Sequence, residues 1–485
     1  MLLGIDLGTT AVKAVVLDPE RGLLAAESLP NAPGSPHPGW SEQDPVAWLV
    51  NALELVPLVC AAARIEPAAI EAVGVAGCVP CVLALDEHDR PLRPALLYND
   101  ARAHAEIDEL TAALGAESVL QRTGAGITQQ SVGPKLRWLQ RHEPDVWEQT
   151  ARIAGSYDWV AGRLADVEYS ERNWALESGL YDLELHDYAR DLCDAVGITK
   201  ELLGPIRDPR QVIGGISEAA AEATGLRPGI AVVGGMADHV SSAFAAGLAE
   251  HGDLLVKLGG SVDVLACSDR PLLDARLYLD AHPSPGMWLP NGCMASGGSG
   301  VRWFQRELAA GAGLDVLDAE AEATPPGAGG VVMLPYLLGE KTPVNDPLAT
   351  GAIVGLRADH TRGHLFRAVL ESFAYGVRHH LEVLAEHGVA PVRARVTNGG
   401  ASSRLWKQIV ADVTGLVLEP VIDHPGSALG AAFAAGVGTA AFEEWSDIGR
   451  FVALGDPVVP NTETKAVYDE RYRTYRELYG ALKAA

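Results

Sequence analysis

Leu2-Leu3-Gly4-Ile5-Asp6-Leu7-Gly8-Thr9-Thr10-Ala11-Val12-Lys13-Ala14-Val15-Val16-Leu17 opens the chain. The apolar, β-branched runs Leu2–Ile5 and Ala11–Leu17 predict two strands, and Asp6–Thr10 between them predicts a tight glycine turn. The pattern returns about half a chain later, as Leu254–Lys257, then Leu258-Gly259-Gly260-Ser261, then Val262–Cys267. Gly8-Thr9 lines up with Gly260-Ser261. A repeat at this separation predicts two related halves meeting near residue 250. No low-complexity linker separates them, so the halves read as packed together.

Outward from these hairpins, short β-rich runs alternate with helical ones, which favours an α/β fold. The Pro/Gly-rich stretch 29–45 reads as a loop. Asp44 followed by Pro45 reads as an N-cap and first helical residue. Trp48, Leu49, Ala52, Leu53 and Val56 continue at helical spacing, and Pro57 is expected to end or kink that helix. Ile230–Val233 predicts a strand, Gly234-Gly235 a turn, and Met236 to Ala249 a helix. Ala394–Thr397 predicts a strand that leads through Gly399-Gly400-Ala401 to a helix from about Ser403. Gly297-Gly298-Ser299-Gly300 reads as a similar turn before Val301. Residues 324–330 read as a loop inside the second half. Tyr468, Tyr472, Tyr475 and Tyr479 share one helical face, which reads as a packing face.

The 485 residues suggest about two to four domains at roughly 100–200 residues each. They can bury large cores without staples. Apolar residues at 48% and charged residues at 21% argue against disorder and against a fibrous chain. With 63 acidic against 38 basic residues, the formal charge is −25. That charge disfavours nucleic acid and anionic membranes, but backbone N–H groups can still hold a small anion. The start lacks a basic n-region, and the apolar stretch Ala428–Phe442 is shorter than the ~20 residues of a membrane span. A cytoplasmic protein is expected. Six cysteines are sparse for this length and suit a reduced compartment. Cys78-Val79-Pro80-Cys81 has CxxC spacing but no second pair to complete a zinc ribbon. A buried strand and turn across Val73–Leu85 is favoured there over redox or metal chemistry.

The first hairpin offers chemistry. Its glycine lets N–H groups face an anion, Thr9 and Thr10 add hydroxyls, and Lys13 adds a positive charge. Asp6 beside a phosphate makes sense with a divalent cation between them, and Mg²⁺ suits one or two carboxylates. The alternative is an ordinary Asx turn. The second hairpin strengthens the first reading, because two such turns can clamp a polyphosphate. It has Leu258 where the first has Asp6, so any metal belongs to one side. Asp238 lies at a strand-to-helix turn, where ligands of α/β folds sit. It could take a proton from a substrate hydroxyl during phosphoryl transfer, or simply satisfy a helix N-terminus; the residues alone leave both open.

Together these pieces resemble the FGGY carbohydrate kinases, most closely their xylulokinase-type pentulose kinases. The resemblance runs over essentially the whole chain. It is carried by Gly4–Thr10; Gly39-Trp40-Ser41-Glu42-Gln43-Asp44-Pro45 with Trp48; Tyr98-Asn99-Asp100-Ala101-Arg102; and Lys135-Leu136-Arg137-Trp138-Leu139. It continues with Gly234–Asp238; Pro335-Tyr336-Leu337 with Gly339-Glu340-Lys341-Thr342-Pro343; and Gly351 to Leu356 leading to His364–Glu371. The order and spacing of these pieces are more specific than any one of them.

The resemblance implies two actin-like ATPase (ribonuclease H-like) domains flanking a central cleft. Residues 1–248 would bind sugar and carry the catalytic aspartate. Residues 249–485 would bind nucleotide, with the last helices packing back on the body. The implied reaction is ATP-dependent phosphorylation of a sugar hydroxyl, with Asp238 as general base and Asp6 and Asp238 toward Mg²⁺. Thr9, Thr10, Lys13, Gly259, Gly260 and Ser261 would meet the phosphates. Gly298, Arg302, Gly400, Ala401 and Arg404 would lie near the nucleotide. Val79, Pro80, Asp100, Arg102, Asp238 and His239 would face the sugar.

Two departures fall at the sugar. Where xylulokinases resemble Gly-Gln-Met-His-Gly, this chain has Gly77-Cys78-Val79-Pro80-Cys81, and Pro80 stands at the histidine position with no hydrogen to donate. His239 follows the aspartate where the family often has asparagine. It is expected to donate a hydrogen bond when neutral and to be fully charged only at mildly acid pH. In addition, Gly260 stands where relatives often have threonine, which leaves a backbone contact to the phosphate. The expected partners are a small sugar and ATP, with no nucleic acid and no membrane; a homodimer is left open. The sugar could be a ketopentose such as D-xylulose, a pentitol or an aldonate. An ATP-driven chaperone would need a peptide-binding domain for which no residues remain. A non-catalytic regulator is disfavoured by the presence of both Asp6 and Asp238.

Overall fold

The computed structural model describes residues 1–483, and its chain packs as two units. The first takes Met1–Ala249 and, beyond the boundary expected near 248, two later segments, Leu279–Trp288 and Pro425–Phe451. The second takes Glu250–Tyr278, Leu289–His424 and Val452–Ala485.

In the first unit the hairpin pairs Leu2–Leu7 antiparallel with Ala11–Asp18, and Ala72–Gly77 joins Leu2–Leu7 in parallel. The sheet order is Val212–Gly215, Ala231–Val233, Ala72–Gly77, Leu2–Leu7, Ala11–Asp18, Gly22–Pro30. Every residue of Leu2–Leu7 and Ala72–Gly77 is buried, as central strands covered on both faces must be. One cover is the Ala/Gly-rich helix Ser427–Gly438, which accounts for the apolar stretch noted above. It approaches so closely that a Cβ on Gly4 would lie 1.9 Å from the Ala428 carbonyl oxygen, and one on Gly74 2.1 Å from that of Ala431. Only glycine fits there. Pro45–Ala63 also packs on this sheet, against Ala11–Asp18 and Gly22–Pro30. It is the one helix among the described residues long and apolar enough to cross a membrane by length and composition; Trp48, Ala52, Leu55, Val56 and Val59 are buried in the protein.

The second unit repeats the topology. Leu254–Leu258 pairs antiparallel with Val262–Ala266, and Arg393–Thr397 joins Leu254–Leu258 in parallel. Outward from these lie Trp288–Met294 on one side and Val417–Ile422 on the other. Tyr468, Tyr472 and Tyr475 of the last helix, Lys465–Lys483, are buried in this unit's core with Tyr479 packed beside them, so the tyrosine face is a packing face. The Tyr468 hydroxyl also accepts a 2.8 Å hydrogen bond from the Arg367 guanidinium.

Two expectations are corrected. The helix from Pro45 runs through Pro57 to Ala63, capped by the Asp44 carboxylate on the Val46 N–H at 2.9 Å. Burial against the sheet holds the helix across the lost hydrogen bond. Met236-Ala237 is strand rather than helix, pairing with Ala76 and Gly77, and the helix spans only Asp238–Ala245. That correction sets the position of Asp238.

Candidate active site

Three parallel neighbours of the first sheet end together. Leu7 pairs with Gly77, and Gly77 pairs with Ala237. The next residues, Gly8, Cys78 and Asp238, therefore leave the sheet at one edge, the carboxyl end of the strands, where α/β folds place ligands. Cys78 N–H donates to the Leu7 carbonyl at 3.2 Å, tying the second exit to the first.

The glycine turn of the first hairpin is held by its carbonyls. Asn31 Nδ2 donates to Gly8 O at 3.1 Å, Gln43 Nε2 to Thr9 O at 2.9 Å, and Asn31 N to Thr10 O at 2.9 Å. Three acceptors are thus turned into the protein, an arrangement that leaves the opposite side of the turn to donors. Asp6 is buried on the strand and faces Lys13, which is exposed, across the hairpin. Asp6 and Asp238 offer oxygen ligands of the kind Mg²⁺ takes; Leu258, in the second hairpin, offers none.

Asp238 begins its helix with its side chain 35% exposed. Its Oδ1 accepts from the His239 N–H at 2.6 Å and lies 3.5 Å from His239 Nδ1. The imidazole's other nitrogen, Nε2, lies 2.8 Å from Asp280 Oδ2. Glu177 completes the cluster, with ligand atoms of Glu177, His239 and Asp280 all within 4.8 Å of one another. Burial by itself would lower the His239 pKa, but the Asp280 charge, hydrogen bonds to Asp238 and Asp280, and the Glu177 charge hold it well above the ordinary value. The direction runs against the expectation that His239 is fully charged only at mildly acid pH, because the carboxylates around it favour the charged form. Burial and the neighbouring Asp280 push Glu177 up well above the usual carboxylate range.

Tyr98 joins the same edge. Burial first, then the Asp238 charge, push its phenol up to about 12, partly offset by a side-chain hydrogen bond with Thr9. Lys135 is buried, and its ammonium donates only long bonds, 3.5 Å to Tyr98 O and 3.4 Å to Gln130 O; burial pulls its pKa down to about 8. Val79 and Pro80 are both buried in the turn between Ala72–Gly77 and Leu83–Leu85.

Asp100 and Arg102 are turned to each other. Arg102 Nε and Nη2 donate to the two Asp100 oxygens at 2.8 and 2.7 Å, and Ser41 N–H adds 2.6 Å. Burial raises the Asp100 pKa, but these bonds outweigh it and hold the carboxyl below its ordinary value. The Arg102 guanidinium lies 3.7 Å from the Trp40 ring centroid and 5.0 Å from that of Trp138. Three separated sequence motifs thus meet in one buried cation–π stack.

In the second unit, Gly298–Glu307 starts against the second hairpin turn. Gly298 N and Ser299 N donate to Gly259 O and Gly260 O at 2.7 and 3.0 Å. Ser299 Oγ adds 2.8 Å to Gly260 O. A Cβ on Gly298 would lie 2.7 Å from Gly259 O. Ser261 Oγ donates to Asp263 at 3.3 Å. The Arg302 guanidinium is 3.9 Å from where a Gly260 Cβ would lie. The turn Gly399–Ser402, with Gly400 and Ala401, packs on the same hairpin: a Gly400 Cβ would lie 2.7 Å from the Leu258 Cβ. Arg404, exposed, is ion-paired with Glu322. The structure therefore gathers Gly259, Gly260, Ser261, Gly298, Arg302, Gly400 and Ala401 and leaves Arg404 at their margin.

Glu177, Asp280 and Lys135 escape sequence reasoning as site residues. Glu177 and Asp280 lie 62 and 41 positions from His239 with no motif around them. Lys135 stands in a quoted motif, but nothing local signals its burial.

Residues 1–245 match the N-terminal domain, and residues 254–439 the C-terminal domain, of the FGGY family of carbohydrate kinases. The chain belongs to that family, whose members transfer phosphate from ATP to a sugar. Its similarity narrows further, to xylulose kinases. That of Escherichia coli is 29% identical over 99% of this chain and 99% of its own length, and that of Bacillus subtilis 26% identical over 99% and 96%. The crystal structure of xylulose kinase from Rhodospirillum rubrum superposes with a TM-score of 0.95 at 40% identity, covering 100% of this chain and 99% of that one. The two sheets with their glycine hairpins are accordingly the actin-like ATPase fold, and the protein is an ATP:carbohydrate phosphotransferase.

Proposed function

We propose that this chain phosphorylates a neutral ketopentose, D-xylulose first among them, with Asp238 as general base. The observation that supports this is the placement of Asp238 at the shared strand edge, with its Oδ1 held by the His239 N–H at 2.6 Å. His239 Nε2 is engaged by Asp280 at 2.8 Å, and the neighbouring carboxylates favour its charged form, so it is the poorer acceptor for the proton leaving the sugar hydroxyl. Asp238 can accept it through the oxygen that His239 N–H does not occupy. His239 holds the Asp238 carboxylate in place through its backbone N–H and its Nδ1. The acidic cluster of Asp238, Asp280 and Glu177 around His239 disfavours an anionic sugar acid, so a neutral ketose is preferred to an aldonate.

In this reading the first unit holds sugar and base, and the second holds nucleotide. Thr9, Thr10 and Lys13 meet phosphate from the first hairpin, and Gly259, Gly260 and Ser261 from the second. Gly298, Arg302, Gly400 and Ala401 border the nucleotide. Asp6 and Asp238 would hold Mg²⁺, which neutralises charge on the transferring phosphate. Val79 and Pro80 form an apolar wall for the sugar, which discriminates weakly between hydroxyl patterns. Asp100 and Arg102 act by fixing the Trp40 loop. Partners are limited to small molecules in the cytoplasm. The test is a coupled assay on D-xylulose, D-ribulose, xylitol and D-gluconate. Higher kcat/KM for the ketopentoses is expected; turnover confined to gluconate would refute the substrate assignment.

A further inference from the structure

We infer that Cys78 and Cys81 are a redox modification site: peroxide closes them to an intramolecular disulfide, and closure displaces the Val79-Pro80 turn from the sugar. The second half of this inference rests on the proposed position of the sugar.

The two sulfurs are 3.3 Å apart, and both residues are buried. Among the described residues no other pair of sulfurs is in contact, and Cys60, Cys193, Cys267 and Cys293 stand singly. The backbone around the pair is pinned. Ser156 Oγ donates to Cys78 O at 2.7 Å, Trp174 Nε1 to Cys81 O at 2.8 Å, and Cys78 N to Leu7 O at 3.2 Å. Cys81 Sγ also points its hydrogen at Cys78 O, 3.3 Å away. The thiols are therefore presented to each other by fixed carbonyls, and the segment left to absorb movement is Val79-Pro80.

Lys135, a buried ammonium with only long hydrogen bonds, lies within electrostatic reach of Cys81. At Cys78 the hydrogen bond with Cys81, then burial, then the Cys81 and Asp238 charges push the thiol well up, which leaves Cys81 to attack first. A deprotonated Cys81 attacks one peroxide oxygen and the O–O bond breaks. The departing hydroxide takes a proton to become water, leaving a sulfenic acid. The Cys78 sulfur then attacks the Cys81 sulfur, the S–O bond breaks, and a second water leaves with the Cys78 proton. Two thiols have lost two electrons, and peroxide has become two waters. Burial restricts this to a small oxidant and slows it.

Closure has a geometric consequence. A disulfide requires about 2.0 Å between sulfurs, so roughly 1 Å of the present separation must be lost between the two side chains and the turn that joins them. Misplacement of about 1 Å at a reacting site can cost about 100-fold in rate. The turn begins one residue after Gly77, which pairs with Ala237 beside the base.

The test uses the full-length protein treated with graded hydrogen peroxide, then alkylated and digested. The peptide carrying Cys78 and Cys81 is expected to lose two hydrogens before half-buried Cys293 is modified, and to regain them with dithiothreitol. Sugar kinase activity should fall about 100-fold in step and recover on reduction. Cys81→Ser and, separately, Cys78→Ser should each resist peroxide relative to their own untreated rates. A pair that stays reduced while Cys293 is modified overturns the inference, as does a disulfide that forms while turnover is unchanged. If the untreated enzyme phosphorylates no sugar, the proposed function fails, and the mass measurement still reads the disulfide.

Discussion

The glycine turn ending Leu2–Leu7 and the one ending Leu254–Leu258 share a topology and differ in what supports them. In the first, side chains from a loop and a short strand, Asn31 and Gln43, take the turn's carbonyls. In the second, backbone N–H groups of a helix start at Gly298 and Ser299 take them. The charges across each ladder are also reversed, Asp6 facing Lys13 in one and Lys257 facing Asp263 in the other. The first turn thus keeps a carboxylate at the strand end and shares its edge with Asp238. The second keeps no carboxylate at the matching place and adds a helix N-terminus, which favours anions. On the proposed reading, one architecture, duplicated, serves acid–base work in one unit and phosphate binding in the other.

The sharpest break in that division comes from Asp238. Asp238→Ala should lower kcat by at least about 10²–10⁴-fold while leaving nucleotide affinity within a few-fold, because the base belongs to the first unit. Steady-state kinetics with an independent ATP-binding titration checks this. Turnover within a few-fold of the parent would remove Asp238 from the chemistry.

Next in size is Gly298→Ala. Its Cβ would fall 2.7 Å from Gly259 O, so the helix start and second turn must separate. The expected result is a KM for ATP raised by about 10–100-fold, with the KM for sugar little changed. An equal rise in both would mean that the second turn is not specific to nucleotide.

Asp280→Asn probes the first site from behind. Losing a charged hydrogen bond on His239 should cost about 1.5–3 kcal/mol of stability at neutral pH. The sign follows from the raised pKa. Stabilisation from a protonated His239 is fully present below its unfolded value, about 6.5, and is lost as pH rises through the elevated folded value. In Asp280→Asn the folded value drops, so the loss begins at lower pH. Imidazole NMR titration of both proteins measures it; identical His239 titrations would exclude Asp280 as its partner.

The hairpins were legible because period-2 apolar runs around glycine are a local signal, and their repetition gave the two-unit fold. Asp238 was legible as a residue at a strand-to-helix turn, yet its geometry was not. The turn at Gly234-Gly235 was expected to lead straight into a helix, and the structure inserts the two-residue strand Met236–Ala237 before the helix begins at Asp238. Of the two outcomes expected at Pro57, the end of the helix does not occur: burial on the sheet carries the helix on to Ala63. The charge of His239 could not be read at all. It depends on Glu177 and Asp280, which only the folded chain brings together.

The smallest effect tests the support of the first turn. Asn31→Ala removes the donor to Gly8 O, while the backbone N–H of residue 31 still reaches Thr10 O. Gln43 continues to hold Thr9 O. One of three restraints is lost at a half-buried position, which should cost about 0.5–1.5 kcal/mol, read as a small fall in Tm. Kinetics should show a modest rise in KM for ATP with kcat nearly intact, since the base and its edge of the sheet are untouched. Asn31→Asp separates the hydrogen bond from the shape of the side chain: it keeps the size but turns a donor into an acceptor facing a carbonyl, and should be worse than alanine. If both variants matched the parent, the first turn would be held by its strand pairing alone, and the contrast between side-chain and helix support would fall.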